Sequence, residues 1–79
     1  MLHARPDYDR IQDPAGLIPA DEPVFLLRAQ DKHAAPFLRL YARTIRSEGG
    51  DEQLAAMAEA HADRMDAWPV KKSPDFNHR

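Results

Sequence analysis

The chain has 79 residues, no cysteine and a formal net charge of −2 at pH 7. A chain of this length, residues 1–79, is expected to form one small domain with a marginal core, and without cysteine it has no disulfide, thiol nucleophile or thiolate metal ligand. No apolar run reaches about 18 residues and no apolar signal core follows Met1, so we expect a cytoplasmic protein without a membrane span.

A short strand is the first regular element that we predict. Residues 1–20 contain several prolines and should form an irregular arm. Val24 to Leu27 are four consecutive apolar residues, which indicates a strand over residues 23–29 that is buried on both faces. Because an open strand edge needs a partner, either residues 10–12 complete a two-stranded ribbon or a second copy of the chain pairs there, so a homodimer is a hypothesis.

Two helices follow the strand. The first is predicted over residues 35–48 and ends at Gly49-Gly50, while the second is predicted over residues 51–68 with Asp51 as its N-cap. Such a short link joins the helices as an antiparallel hairpin. The fold class is therefore α+β: one short buried strand packed on a two-helix hairpin, with an irregular N-terminal arm. Residues 70–79 should form a flexible tail.

Each predicted helix has an apolar face. These faces are expected to form the core, and His61 is expected to be a packed, hydrogen-bonded histidine within it. In the first helix the face consists of Phe37, Leu38, Leu40, Tyr41 and Ile45, and in the second of Leu54, Met57, Ala58, His61, Met65 and Trp68.

Each helix also carries charges opposite its apolar face. The basic stripe of the first helix consists of Arg39, Arg43 and Arg46, and the acidic stripe of the second consists of Glu52, Glu59, Asp63 and Asp66. Either stripe can be an ordinary solvated surface. Alternatively, the acidic stripe imitates a nucleic-acid backbone, or the basic stripe contacts phosphate or an acidic partner. A helix-turn-helix is disfavoured because its recognition helix would be the acidic one.

Catalytic signatures are absent from the sequence. There is no glycine-rich phosphate loop, no Gly-x-Ser-x-Gly and no cysteine nucleophile. We therefore expect a protein that is not an enzyme, with no catalytic residue, no cofactor and no metal.

Two segments support a family resemblance. The segments Asp7–Pro14 and Asp21–Asp31, continuing through both helices to Trp68, resemble a family of small phage and prophage accessory proteins that lacks a general assigned function. Within that group the chain is most similar to anti-CRISPR inhibitors of type I systems, with type I-C as the expected subtype. The resemblance implies a non-enzymatic protein that binds the crRNA-guided surveillance complex, Cascade, in the host bacterial cell and stops it from engaging target DNA.

Charged residues are the candidate contacts with such a partner. The acidic stripe, or the pair Asp21 and Glu22 before the strand, would meet lysines and arginines that normally hold DNA, and the mirror alternative uses the basic stripe against an acidic patch. Two other classes stay open. One is a phage nucleic-acid-binding accessory protein that uses the basic stripe, although direct nucleic-acid binding is not our expectation. The other is a phage structural or assembly protein.

Overall fold

The computed structural model describes residues 1–3 and 12–76, and the helical hairpin dominates this part of the chain. Both helices lie within two residues of their predicted bounds, so the coarse expectation of a small, mixed fold with a helical hairpin and short extended structure agrees with the structure. The described elements are β1 (Leu2–His3), β2 (Pro23–Val24), α1 (Ala34–Ser47) and α2 (Glu52–Asp66).

Helix α1 ends in a glycine cap. The backbone N–H of Gly49 donates to the carbonyl of Arg46 at 3.0 Å, and that of Gly50 donates to Ile45 at 2.8 Å. This pair of bonds is the Schellman arrangement, which satisfies carbonyls that the helix leaves without partners. Gly49 has φ +67°, a left-handed conformation that favours glycine. A Cβ at Gly50 would lie 3.0 Å from the Ile45 carbonyl oxygen, so the second glycine permits a close approach.

Helix α2 begins at the predicted cap. The Asp51 carboxylate accepts hydrogen bonds from the backbone N–H groups of Gln53 at 2.9 Å and Leu54 at 3.1 Å. Two of the four N–H groups without helical partners are thereby satisfied, and Glu52 places a further negative charge in the first turn. Because the link between the helices is short, the chain reverses its direction sharply between α1 and α2.

Alanine, rather than a large apolar residue, forms the tightly buried contact between the helices. Among the described residues, every fully buried side chain is an alanine. Small side chains at helical spacing allow two helices to approach closely. We call the contact line the alanine seam; it consists of Ala35, Leu38, Ala42 and Ile45 on α1, with Ala55, Ala58, Ala62 and Met65 on α2.

The strand differs from its prediction. It spans only Pro23–Val24 instead of residues 23–29, and Phe25 is 67% exposed, so the run is not buried on both faces. Its neighbour is Leu2–His3, which lies parallel to it, with Leu2 opposite Pro23. The expected pairing with residues 10–12 falls largely on residues outside the described ranges. Among the described elements, the extensive contacts are those between α1 and α2 and those between β1 and β2, and packing of the strand pair on the hairpin is not confirmed.

The first part of the predicted tail is tied to the loop before α1. The backbone N–H of Lys72 donates to Gln30 at 2.8 Å, and the N–H of Lys32 donates to the Lys72 carbonyl at 3.1 Å. The Lys71 ammonium donates to the Ala29 carbonyl at 2.9 Å and to the Met65 carbonyl at the end of α2. Residues 71–72 therefore contact the loop before α1 and the end of α2, and the flexibility of the tail stays a prediction.

The chain exposes more surface than a compact monomer of its size. Its radius of gyration is 14.0 Å, against about 12 Å for a compact domain of this length. Its accessible surface is 6158 Å², against about 4,900 Å² for a folded monomer of 9.0 kDa.

Candidate interaction surfaces

The alanine seam divides the hairpin into two flanks. Arg39 and Arg46 directly follow seam residues on α1, whereas Tyr41 precedes one, and a helix with about 3.6 residues per turn places these positions on opposite sides of the contact line. We call one side the charged flank, formed by Arg39, Arg43, Arg46, Glu52, Glu59, Asp63 and Asp66. We call the other the apolar flank, formed by Phe37, Tyr41, Leu54 and Met57.

On the charged flank the basic and acidic stripes pair with each other. Arg39 lies 2.9 Å from an Asp63 oxygen and 2.5 Å from an Asp66 oxygen. Arg46 bonds Glu52 through Nε and a terminal nitrogen, with distances of 2.9 to 3.0 Å. Its other terminal nitrogen lies 2.8 Å from Glu59. The acidic partners occur in reverse order along α2, as an antiparallel pair of helices requires.

These contacts shift the ionisation of both partners. Hydrogen bonds from Arg46 hold the pKa of Glu52 and of Glu59 below the usual range for a glutamate. The pKa of Arg39 is raised, chiefly by its hydrogen bonds to Asp63 and then Asp66. The pKa of Arg46 is raised by Glu59 and then Glu52. Arg39, Arg46, Glu52 and Glu59 are therefore charged at neutral pH.

The internal pairing revises the expected geometry of the stripes. The sequence predicted two stripes facing solvent separately, each opposite its own apolar face. Instead, the side chains of Arg39 and Arg46 are only 32% and 34% exposed, and each bridges two carboxylates of the neighbouring helix. Arg43 is exposed and makes no ion pair with any described residue. The carboxylates retain much of their exposure, up to 77% at Asp63.

Asp21 and Glu22 lie apart from the charged flank, immediately before β2. Both are exposed, and neither carboxylate has an ion pair within residues 1–3 and 12–76. The backbone carbonyl of Glu22 accepts a 2.7 Å hydrogen bond from Leu2, which fixes the position of this short segment. The structure therefore brings together six of the predicted partner-binding residues, leaves Arg43 beside them, and separates Asp21 and Glu22.

The apolar flank is the surface that sequence reasoning missed. Phe37, Tyr41, Leu54 and Met57 were expected in the core, yet they are 57%, 51%, 37% and 60% exposed. The sequence signal for this arrangement was the alanine spacing of the seam, because small residues repeating every three or four positions compete with large ones for the helix contact.

Three further core assignments were wrong. Leu40 is 46% exposed, His61 is exposed rather than packed, and Trp68 is 53% exposed. His61 and Trp68 follow the apolar flank towards the end of α2 and not the alanine seam. They are exposed because the helices meet along the alanine seam, which also leaves Leu54 and Met57 exposed.

A shallow depression of about 420 Å³ is lined by Asp51, Gln53, Leu54 and Met57. Its ionisable side chain, Asp51, is engaged as the cap of α2. Across residues 1–3 and 12–76, no three metal-ligating side chains converge, and neither helix has the length and hydropathy to cross a membrane.

Comparison with known proteins gives no relative. No family model, no curated protein and no solved structure matches the chain.

Proposed function

We propose that the protein is a non-enzymatic, phage-encoded inhibitor that binds a CRISPR surveillance complex in the host cell and blocks its engagement of target DNA. The proposal starts from the sequence resemblance of the segments Asp7–Pro14 and Asp21–Asp31. It is supported by one observation of the structure: the acidic side chains of the charged flank remain in excess and largely exposed after Arg39 and Arg46 are paired. A DNA-binding channel is lined with lysine and arginine, which an acidic protein surface can occupy.

The acidic excess can be located on the charged flank. Arg39 and Arg46 are shared among four carboxylates, and with Arg43 also counted the flank keeps one net negative charge. The most open carboxylates are Asp63, at 77%, and Glu52, at 70%. These two side chains are the expected primary contacts, and Asp21 and Glu22 form a second, separate acidic site.

The ion pairs within the charged flank weaken the alternative in which the basic stripe binds an acidic partner. A phosphate or an acidic partner would have to compete with carboxylates already bound to Arg39 and Arg46, which leaves Arg43 as the accessible arginine of the basic stripe. The same competition reduces the support for a nucleic-acid-binding accessory protein.

The test separates charge from fold. The double variant Glu52→Gln/Asp63→Asn removes the two most open charges but leaves Glu59 for Arg46 and Asp66 for Arg39. We expect it to retain its helicity and to bind a type I-C surveillance complex at least about tenfold more weakly, chiefly through a slower association. Binding is measured by pull-down and biolayer interferometry, and inhibition by the complex's retention of target DNA.

A matched control removes a neighbouring charge of opposite sign. Arg43→Gln should leave binding unchanged or slightly stronger if the acidic side chains make the contact. If Arg43→Gln loses binding and the acidic double variant keeps it, the basic stripe makes the contact instead. If the wild-type chain neither binds nor inhibits the complex, the proposed function is wrong.

A further inference from the structure

The apolar flank has no partner in the described part of the chain. Helical spacing places Phe37 beside Tyr41, four residues apart on α1, and Leu54 beside Met57, three residues apart on α2. Because the helices pack side by side, the four side chains lie on one face of the hairpin. Each is at least 37% exposed, and three are more than half exposed.

The area of this surface can be compared with that of a protein interface. An aromatic side chain can bury about 150–250 Å², so half-exposed Phe37 and Tyr41 offer roughly 200 Å² together, and Leu54 and Met57 bring the patch to roughly 400 Å². A standard interface buries about 800 Å² on each partner, so these four side chains supply about half of it and their neighbours on the same face supply the rest.

Charge favours a second copy of the chain as the occupant. The strongly charged flank lies on the opposite face of the hairpin, so two apolar flanks can approach without bringing those clusters together. Three charged residues border the apolar flank. Glu48 and Asp51 are acidic and lie beside the link, Asp51 in the depression that Leu54 and Met57 also line. Arg64 is basic and lies at the opposite end, in the last turn of α2.

We propose that the apolar flank is the interface of a homodimer in which two hairpins pack face to face as a four-helix bundle, running in opposite directions. Reversed packing brings Glu48 of one copy to the same end as Arg64 of the other copy. The dimer buries Phe37, Tyr41, Leu54 and Met57, which supplies the large apolar core that the alanine seam lacks. This assembly does not depend on the function proposed above.

The first experiment measures the mass of the full chain by sedimentation equilibrium and light scattering. We expect about 18 kDa, twice the 9.0 kDa chain, at about 100 µM. Met57→Glu and Phe37→Glu should each weaken dimerisation at least about a hundredfold, because each inserts a charge into an apolar interface. Phe25→Glu is the matched control, since Phe25 is as exposed but lies outside the flank, and it should leave the mass unchanged.

A second measurement keeps the test decisive if the monomeric variants unfold. The wild-type melting temperature should rise with protein concentration, as mass action requires of a stabilising dimer. A wild-type chain that is monomeric at about 100 µM with a concentration-independent melting temperature overturns the proposal. The proposal is also overturned if Met57→Glu, like Phe25→Glu, leaves the mass of the dimer unchanged. If the chain is monomeric and Met57→Glu loses only its binding to a foreign protein, the flank belongs to that partner instead.

The orientation has its own test. Arg64→Glu should weaken the dimer about three- to tenfold, and the added reversal Glu48→Lys should restore it, because the swap recreates opposite charges at each end. Failure of the double variant to recover overturns the reversed packing.

Discussion

Close packing of the alanine seam can be tested with one enlarged side chain. Ala42 is completely buried against Ala55 and Ala58, with Leu38 and Ile45 packed around the cluster. Ala42→Leu adds three carbon atoms where no space is open, so the helices must separate or the new side chain must take a strained rotamer. Such overpacking costs about 1–3 kcal/mol. A chain of 79 residues has roughly 4–12 kcal/mol of stability in total, so the loss is a large fraction of it.

The assay is urea denaturation followed by far-ultraviolet circular dichroism at one fixed protein concentration. We expect the free energy of unfolding to fall by about 2 kcal/mol and the melting temperature by about 8–16 °C. The control is Ala60→Leu, which makes the same change on the exposed side of α2 and should stay within about 0.5 kcal/mol of wild type. Equal stability of the two variants would refute a closely packed seam.

Three further predictions concern the helix ends and the charged flank. Asp51→Ala should lower the free energy of unfolding by about 1 kcal/mol, because two N–H groups lose their acceptor, whereas Asp51→Asn should retain most of it; urea curves check both. Gly49→Ala should destabilise by about 1 kcal/mol in the same assay through backbone strain alone, since its Cβ would meet no atom within 4 Å. The lowered pKa values of Glu52 and Glu59 mean that the unfolded chain binds more protons in mild acid. The stabilisation from these ion pairs should therefore be fully present above about pH 5 and should be lost as the pH falls through the pKa values of Glu52 and Glu59 in the folded chain. When urea midpoints are compared across pH, they should fall less steeply in Arg46→Gln than in the wild type. An equally steep acid transition in Arg46→Gln would contradict the assigned role of this arginine.

The charged flank also offers a physical reason for the register of the hairpin. Alanines differ little from one another as packing partners, so the seam alone would allow the helices to slide by a turn. Arg39 and Arg46 lie two turns apart on α1, and each meets two carboxylates on α2. Sliding by one turn would leave several of these charges without partners.

Local residues determined the ends of the helices. Asp51 and the two glycines before it act through hydrogen bonds within a few residues, so the cap, the link and the hairpin could be predicted from the sequence. The amphipathic charge pattern likewise identified both stripes. The length of a strand beside Pro23 could not be predicted in this way, because burial of Phe25 to Leu27 depends on contacts with distant parts of the chain, and Phe25 is 67% exposed in the structure.

Tertiary structure alone decided which helix faces meet. Each helix has two overlapping candidate faces, one with Phe37 or Met57 and one with Ala42 or Ala58, and periodicity favours the larger side chains. Packing between the helices favours the alanines instead, because their small size permits a close approach that also brings Arg46 within reach of its carboxylates. The sequence by itself therefore determined where the helices begin and end. Only the distance between the helices decided that the charges pair internally and that the large apolar side chains remain on the surface.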